Sequence, residues 1–256
     1  MKTSNHLLRR LTAALLAAVL ALSIALPVFA SDDGDTIYIN SVSDLLSLAR
    51  NCAYDQWSVG KTVILQKDLS LEGMLWEPIP SFSGQFKGNG HTISDLTITG
   101  QYSPAGLFGI VEEQGSIESL SVRGVVSVSD SADTTTGGIV GVNHGTLINC
   151  QFTGVVTGDS EVGGIVGRNE SEGTIDHGTA RAIVTGKSST GGIAGYNLGA
   201  ITGCTNVGSI NTEYPEASLD TDGFTAKMVD YINNKMAAAD NDATNSVTNV
   251  ATDTGG

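Results

Sequence analysis

Three stretches of the chain follow one pattern: TGGIVGVN at 136–143, VGGIVGRN at 162–169 and TGGIAGYN at 190–197. An earlier stretch, GLFG at 106–109, matches the GIVG or GIAG core of these blocks. The four cores begin at residues 106, 138, 164 and 192, which are 32, 26 and 28 positions apart. Repetition at such a period is typical of folds that stack one supersecondary unit on the next.

Each core is followed by two further short apolar runs. The second run is GSI at 115–117, GTL at 145–147, GTI at 173–175 and GAI at 199–201, and the third is GVV at 124–126, GVV at 154–156 and AIV at 182–184. Such runs are too short for helices, and Val and Ile favour strands. Three short strands per repeat predict an all-β fold, a parallel β-helix whose coils stack about 4.8 Å apart.

An asparagine stands two residues after the last glycine of three blocks, at Asn143, Asn169 and Asn197. Asparagine tolerates left-handed backbone angles, and identical amides stacked coil over coil can hydrogen-bond along the axis. We therefore expect these three side chains to form a structural asparagine ladder.

The repeat also places two of the three cysteines. Cys150 and Cys204 each lie five residues after the glycine of the second run, and Gly178 takes that place in the repeat between them. Two coils separate their Cα atoms by roughly 9 to 10 Å, more than the 7 Å or so that a disulfide can bridge. We expect both to be buried thiols and all three cysteines, including Cys52, to be free.

The N-terminus has the features of a secretory leader. Three basic residues precede an uncharged apolar run over 11–30, which ends in VFA before the acidic stretch that begins at Ser31. This pattern predicts a signal peptide over 1–30, cleaved between Ala30 and Ser31, and a secreted or cell-surface protein. An uncleaved anchor is the alternative, because about twenty apolar residues can span a bilayer.

A capping structure is expected over about 36–60. SVSD at 41–44 fits a helix capping box, and Leu45, Leu48, Ala49 and Cys52 then fall on one helical face. Such a helix would close the first end of the stack, where core and strand edges are otherwise exposed. The β-helix itself is predicted over 31–212.

The stretch FSGQFKGNGHTI at 82–93, together with GLFG and the later GGIVG blocks, resembles GLUG-motif proteins. The resemblance covers roughly residues 36–212. It implies a right-handed parallel β-helix of the pectin-lyase-like type, found in bacterial surface and secreted proteins, including regions that accompany IgA-specific metallopeptidases. It also implies surface scaffolding, mostly non-catalytic.

Residues 213–253 depart from the repeat. Within them 222–239 could hold a helix with Phe224, Met228, Tyr231, Ile232 and Met236 as its apolar residues, flanked by an acidic, Asn-rich linker. The final TGG at 254–256 copies the opening of two blocks. We interpret 213–253 as an insertion before a truncated fifth repeat, so that the chain is an N-terminal portion of a longer one; coincidence in a Gly-rich tail is the alternative.

Charge limits the partners. The formal net charge is −14, and removal of 1–30 leaves 10 basic against 27 acidic residues, a net charge of −17. Such an acidic chain does not suit nucleic acid or, after signal cleavage, an anionic membrane. No catalytic, cofactor-binding or metal-ligating residue is predicted, because His91, His144 and His177 occupy different places in their coils and lack Cys or carboxylate partners at ligand spacing.

Two function classes remain. The favoured one is a non-catalytic extracellular scaffold or adhesion module that displays a flat face to a glycan or a host or bacterial surface protein. The other is a carbohydrate-active enzyme, a polysaccharide lyase or hydrolase: Arg123 and Arg181 share an outward position with Thr153 between them, yet no matching Asp column faces them. For glycan stacking the candidates are Tyr196, the possible ligand contact, with Tyr102 and Trp76.

Overall fold

The computed structural model describes residues 35–54, 56–128 and 134–211. The predicted leader with its Ala30–Ser31 cleavage site, the segment 213–253 and the tripeptide 254–256 lie outside the described residues.

The described strands pair in parallel from coil to coil and form four sheets. Sheet A contains, in spatial order, β1 (Thr36–Ile39), β2 (Thr62–Leu65), β5 (Gln85–Lys87), β8 (Ser116–Glu118), β12 (Thr146–Ile148), β16 (Thr174–Asp176) and β20 (Ala200–Thr202). Sheet B contains β3 (Leu69–Ser70), β6 (Thr92–Gly100), β9 (Ser121–Val128), β13 (Gln151–Thr157), β17 (Thr179–Thr185) and β21 (Thr205–Asn206), with β22 (Ser209–Ile210) also paired to β17. The predicted all-β parallel β-helix is confirmed.

Sheets C and D supply the remaining strands of the coils. Sheet C contains β4 (Ile79–Phe82), β7 (Phe108–Val111), β11 (Val140–Asn143), β15 (Val166–Asn169) and β19 (Ala194–Asn197). Sheet D contains only the two-residue strands β10 (Thr136–Gly137), β14 (Val162–Gly163) and β18 (Thr190–Gly191). The later coils therefore hold four strands instead of the predicted three, because the TGG or VGG that opens each block forms a short strand of its own.

The interior of the stack is lined by columns of apolar side chains. Alternate residues of each strand point inward, and pairing in register places Ile117, Leu147 and Ile175 above one another, each with 0% of its surface exposed. Near the first coils Phe82, Phe86 and Phe108 pack with ring centroids 5.4 to 6.3 Å apart. One continuous core thus runs along the axis.

Helix α1 (Val42–Asn51) confirms the predicted amphipathic helix. The Ser41 hydroxyl accepts from the Asp44 backbone N–H at 3.2 Å, and the Asp44 carboxylate accepts from the Asn40 N–H at 2.9 Å, a bond that lowers the pKa of Asp44. Leu45 and Leu48 belong to the same hydrophobic core as the inward side chains of the solenoid strands, and α1 packs against β1 and β4.

Left-handed backbone conformations occur at a turn between sheets A and B, not at the ladder asparagines. Ser119, Asn149, His177 and Gly203 occupy this turn in successive coils, with φ of +53°, +52°, +53° and +60°. Asn143, Asn169 and Asn197 lie in strands of sheet C and have no positive φ. The left-handed backbone angles that asparagine tolerates are therefore not adopted at the ladder, because those residues are extended.

Thr136 carries a buried hydroxyl for which the described part of the chain supplies no hydrogen-bond partner. Its register neighbour in the next coil is Val162, which shows that the position accepts a valine. We expect Thr136→Val to raise the free energy of unfolding by about 1 kcal/mol, because an unsatisfied buried group is removed. Urea unfolding followed by circular dichroism measures the change.

Thr190 provides the matched control for that substitution. It stands one coil beyond Val162, and its hydroxyl donates to the Ser188 carbonyl at 3.3 Å. Thr190→Val removes a bond that is made and should bring no gain. Equal effects of the two substitutions would contradict the explanation.

Candidate functional site

The three ladder asparagines hydrogen-bond to one another along the axis. The Asn143 amide donates to Asn169 Oδ1 at 2.8 Å, and the Asn169 amide donates to Asn197 Oδ1 at 2.8 Å. Asn143 and Asn169 are fully buried, and each amide also donates to a carbonyl of its own coil, Gly145 or Gly173, at 3.1 Å. Asn143 and Asn169 lie inside the stack, so their side chains hold coils together and do not face a ligand.

An outward column on sheet C carries an arginine above a tyrosine. Register pairing places Val142, Arg168 and Tyr196 in successive coils, and the strand alternation turns them to the opposite side from the ladder. The Arg168 guanidinium carbon lies 5.3 Å from the centroid of the Tyr196 ring, and Tyr196 is 39% exposed. We call Arg168 and Tyr196 the Arg–Tyr platform.

Two carboxylates hold the arginine of this platform. Glu161 accepts a bidentate pair of bonds from Arg168, one of them Nε to Oε2 at 2.7 Å, and Glu170 lies 3.5 Å from the guanidinium. The Thr135 hydroxyl donates to Glu161 Oε2 at 3.0 Å. The bond to Glu161 is the main cause that raises the pKa of Arg168, so the arginine stays charged. A cation fixed over an aromatic face orients the ring in advance of any binding event.

The other aromatic candidates occupy different environments. Trp76 was expected as an exposed ligand contact, and that expectation was wrong: it is 2% exposed, and its indole N–H donates to the Leu107 carbonyl at 3.1 Å. Tyr102 is partly buried against the core. Tyr38 and Tyr54, 48% and 72% exposed, were not singled out from the sequence. Alternation along the strand could have predicted that Tyr38 is exposed, because its neighbour Ile39 is apolar and buried.

The arginine column on sheet B has the predicted register. Arg123, Thr153 and Arg181 stand in successive coils. A shift in the pairing of β6 and β9 between Ile93 and Leu96 leaves Ser94 and Asp95 together in the position opposite Arg123, one coil earlier. Asp95 accepts from the Ser70 hydroxyl at 2.6 Å and the Ser94 hydroxyl at 2.8 Å. The sequence alone did not reveal this carboxylate, because a bulge is needed to bring it there.

Two of the three histidines in the described part of the chain have a carboxylate neighbour, contrary to the expectation from spacing. His91 Nδ1 lies 3.1 Å from Asp68 Oδ1, across a turn of the solenoid, and His177 Nδ1 lies 2.9 Å from Asp176 Oδ1. The Thr92 N–H and His91 lower the pKa of Asp68. Within the described ranges no three His, Cys, Asp or Glu side chains cluster as metal ligands.

A shallow depression of about 470 Å³ lies where sheet A meets the turn to sheet B. It is lined by Lys87, Asn89, Gly90, Glu118 and Ser119. The Asn89 amide is already engaged with the Leu65 carbonyl at 3.1 Å. Because its lining lacks an aromatic ring, this depression suits sugar stacking less well than the Arg–Tyr platform.

The three cysteines are buried and unbridged. Burial raises the pKa of Cys150 to about 12 and that of Cys52 to about 11, and it also raises the pKa of Cys204. A thiol reacts as its thiolate, so we expect negligible labelling of the native protein at pH 8. After unfolding without reductant, three thiols should react with Ellman's reagent; a count below three would contradict the free-thiol prediction.

No model of a known protein family matches the chain. Part of the chain is 30% identical to halomucin from Haloquadratum walsbyi, in a match that covers 56% of this chain and 2% of halomucin. It is 29% identical to a protein of Evansella cellulosilytica described as a Gly-rich membrane protein, over 39% of this chain and 16% of that protein. The chain spans only a small part of the length of either relative.

Among solved structures, a Bacteroides ovatus protein proposed to be an immunoglobulin A1 protease is 15% identical to this chain. The TM-score is 0.43, and the match covers 72% of this chain and 79% of that one. The GLUG motif itself remains a resemblance, whereas the parallel β-solenoid that it implies is the observed fold. In the described part of the chain no helix is long and apolar enough to span a bilayer.

Proposed function

We propose that this protein is a non-catalytic, secreted or surface-exposed scaffold whose β-helix presents an adhesion surface to a glycan or to a surface protein. The observation that carries the proposal is the Arg–Tyr platform: an exposed aromatic ring beneath a charged arginine that two carboxylates hold in place. A ring fixed before binding loses little conformational entropy when a ligand packs on it. Tyrosine also offers both an apolar face and a hydroxyl, which suits a sugar ring or a protein side chain.

The solenoid provides a rigid support for such a surface. Each coil is bonded to its neighbours through parallel strands in four sheets, and the ladder ties three coils together inside. The outward residues of one strand position therefore repeat at about 4.8 Å, which presents a long regular face. The predicted leader supports a location outside the cell.

The test is binding of the full-length protein to a glycan array and to immobilised mucin. Tyr196→Ala is expected to weaken the strongest interaction at least about tenfold, since a central aromatic contact is commonly worth more than about 1.4 kcal/mol. Tyr54→Ala is the matched control, because Tyr54 is also exposed but lies next to α1 and away from the platform. Equal binding by the Tyr196→Ala variant and the unsubstituted protein would remove the platform from the proposal.

The carbohydrate-active enzyme is retained as a second candidate because the bulge that contains Asp95 lies opposite Arg123. A carboxylate and an arginine on neighbouring strands are the type of grouping that can position and deprotonate an acidic sugar. The discriminating assay measures release of reducing ends or unsaturated products from acidic polysaccharides. Turnover by the unsubstituted protein that is lost in the Asp95→Asn variant would identify the protein as an enzyme and overturn the non-catalytic scaffold.

A further inference from the structure

The Arg–Tyr platform and the carboxylates that hold it carry more negative than positive charge. Arg168 contributes one positive charge, and Glu161 and Glu170 contribute two negative charges, which leaves a net charge of −1. Residues 134–180, which include β15 and the coil before it, contain one Arg or Lys against five Asp or Glu. A ligand that approaches Tyr196 therefore meets a surface of negative potential.

Carboxylates also occupy the hydrogen-bonding edges of the Arg168 guanidinium. Nε and Nη2 both donate to Glu161, the first of them to Oε2 at 2.7 Å, and Nη1 lies 3.5 Å from Glu170 Oε1. Arginine recognises an anion best through two parallel N–H bonds from one edge. Because protein carboxylates already stand at these edges, Arg168 orients the Tyr196 ring but does not present a paired set of donors to an acidic ligand.

The charged rim of the platform accepts hydrogen bonds. Ionised carboxylates have acceptors and no donor, and the Glu161 and Glu170 side chains are 15% and 21% exposed. A sugar hydroxyl can donate to such an oxygen while the apolar face of the sugar packs on Tyr196. A ligand carboxylate or sulfate has no proton to donate and is repelled, since like charges brought together weaken an interface.

We propose that the Arg–Tyr platform binds neutral sugars and rejects glycans that carry a carboxylate or a sulfate beside the stacked sugar. This inference rests on the proposed adhesion function and names the ligand class of the same surface. The Tyr196 ring supplies the contact area, and Glu161 and Glu170 supply the discrimination. Specificity of this kind comes from a repulsive element directed against the wrong ligand.

The experiment compares matched glycan pairs on one array: neutral structures, and the same structures with a terminal sialic acid or a sulfate. The full-length protein is expected to bind the neutral members at least about tenfold more tightly at physiological salt. The difference should shrink at about 1 M salt, because the Debye length falls there from about 8 Å to about 3 Å. Binding of the neutral members should change much less, since their contact with the ring is uncharged.

Glu170→Gln tests whether charge causes the discrimination. Glutamine keeps the shape of the side chain and removes its charge, while Glu161 still holds Arg168. The ratio of neutral to acidic glycan affinity is expected to fall at least about threefold, since one unit charge near the ligand is lost. Glu118→Gln is the matched control, because it removes the same charge from β8 of sheet A and should leave the ratio unchanged.

The outcomes separate this inference from the proposed function. Equal or tighter binding of the acidic members, still lost in Tyr196→Ala, would overturn the neutral-sugar assignment and leave the platform as the adhesion surface. A ratio that neither salt nor Glu170→Gln changes would also overturn it, because the preference would then not come from charge. Binding through Tyr196 to a deglycosylated surface protein in place of glycans would overturn the assignment alone. If Tyr196→Ala alters no interaction, both proposals fail.

Discussion

Gly163→Ala is expected to cost more than about 4 kcal/mol of unfolding free energy and to prevent the last coils from stacking. A Cβ at this position would overlap the Val166 carbonyl oxygen and lie 2.7 Å from the Gly195 backbone nitrogen. Backbone atoms cannot rotate away as a side chain can, so sheet D would have to separate from sheet C. The same column holds Gly137 and Gly191 in the coils on either side.

Gly60→Ala is the control for that substitution. Gly60 has φ of +73°, and no atom lies within 4 Å of the place that an alanine Cβ would take, so only backbone strain opposes the change. That strain amounts to about 1 to 2 kcal/mol. Urea unfolding and soluble yield of both variants measure the difference. A Gly163→Ala protein no less stable than Gly60→Ala would show that sheet D tolerates a side chain.

Asn169→Leu is expected to lower the free energy of unfolding by about 3 kcal/mol. Leucine has nearly the same volume but removes both ladder bonds, leaving the Asn143 amide and the Asn197 oxygen without their partner. It also removes the bond to the Gly173 carbonyl. Each unsatisfied buried group costs about 1 to 3 kcal/mol, partly offset by the apolar burial of leucine.

Asn197→Leu tests whether burial causes that loss. Asn197 ends the described ladder and is half-buried, so water can replace part of its bonding, and the cost should be nearer to about 1 kcal/mol. Thermal and urea unfolding of the two variants under one set of conditions compare them. Equal losses would mean that position in the ladder does not matter.

Much of the candidate site followed from the repeat alone. Once the blocks were aligned, residues at equal offsets had to stack, which is why Arg123, Thr153 and Arg181 share a column and why Arg168 lies next to Tyr196. The sequence predicted only part of the Arg–Tyr platform. Tyr196 was a candidate ligand contact, but Glu161 and Glu170, which hold Arg168, were not predicted. Glu161 reaches Arg168 from a loop position seven residues earlier, and no periodic pattern marks such a contact.

The early coils were the least predictable part. Trp76 lies in an irregular connection, and only the packed structure shows that its ring enters the core. A local shift of register places the bulge that contains Asp95 opposite Arg123, and His91 lies beside Asp68 across a turn of the solenoid. Each of these depends on a loop length or a bulge that differs from coil to coil.

The amino-acid pattern is sufficient to predict the stacked parallel coils, the amphipathic helix near the start and the columns of like residues, because a repeat of nearly constant period has one way to pair its strands and bury its apolar runs. The fourth sheet, the burial of Trp76 and the carboxylates around Arg168 are visible only in the folded chain. The fourth sheet forms where backbone packs on backbone at glycine positions, and the other features form where loops of unequal length bring distant residues together. Neither arrangement produces a periodic pattern in the amino-acid sequence.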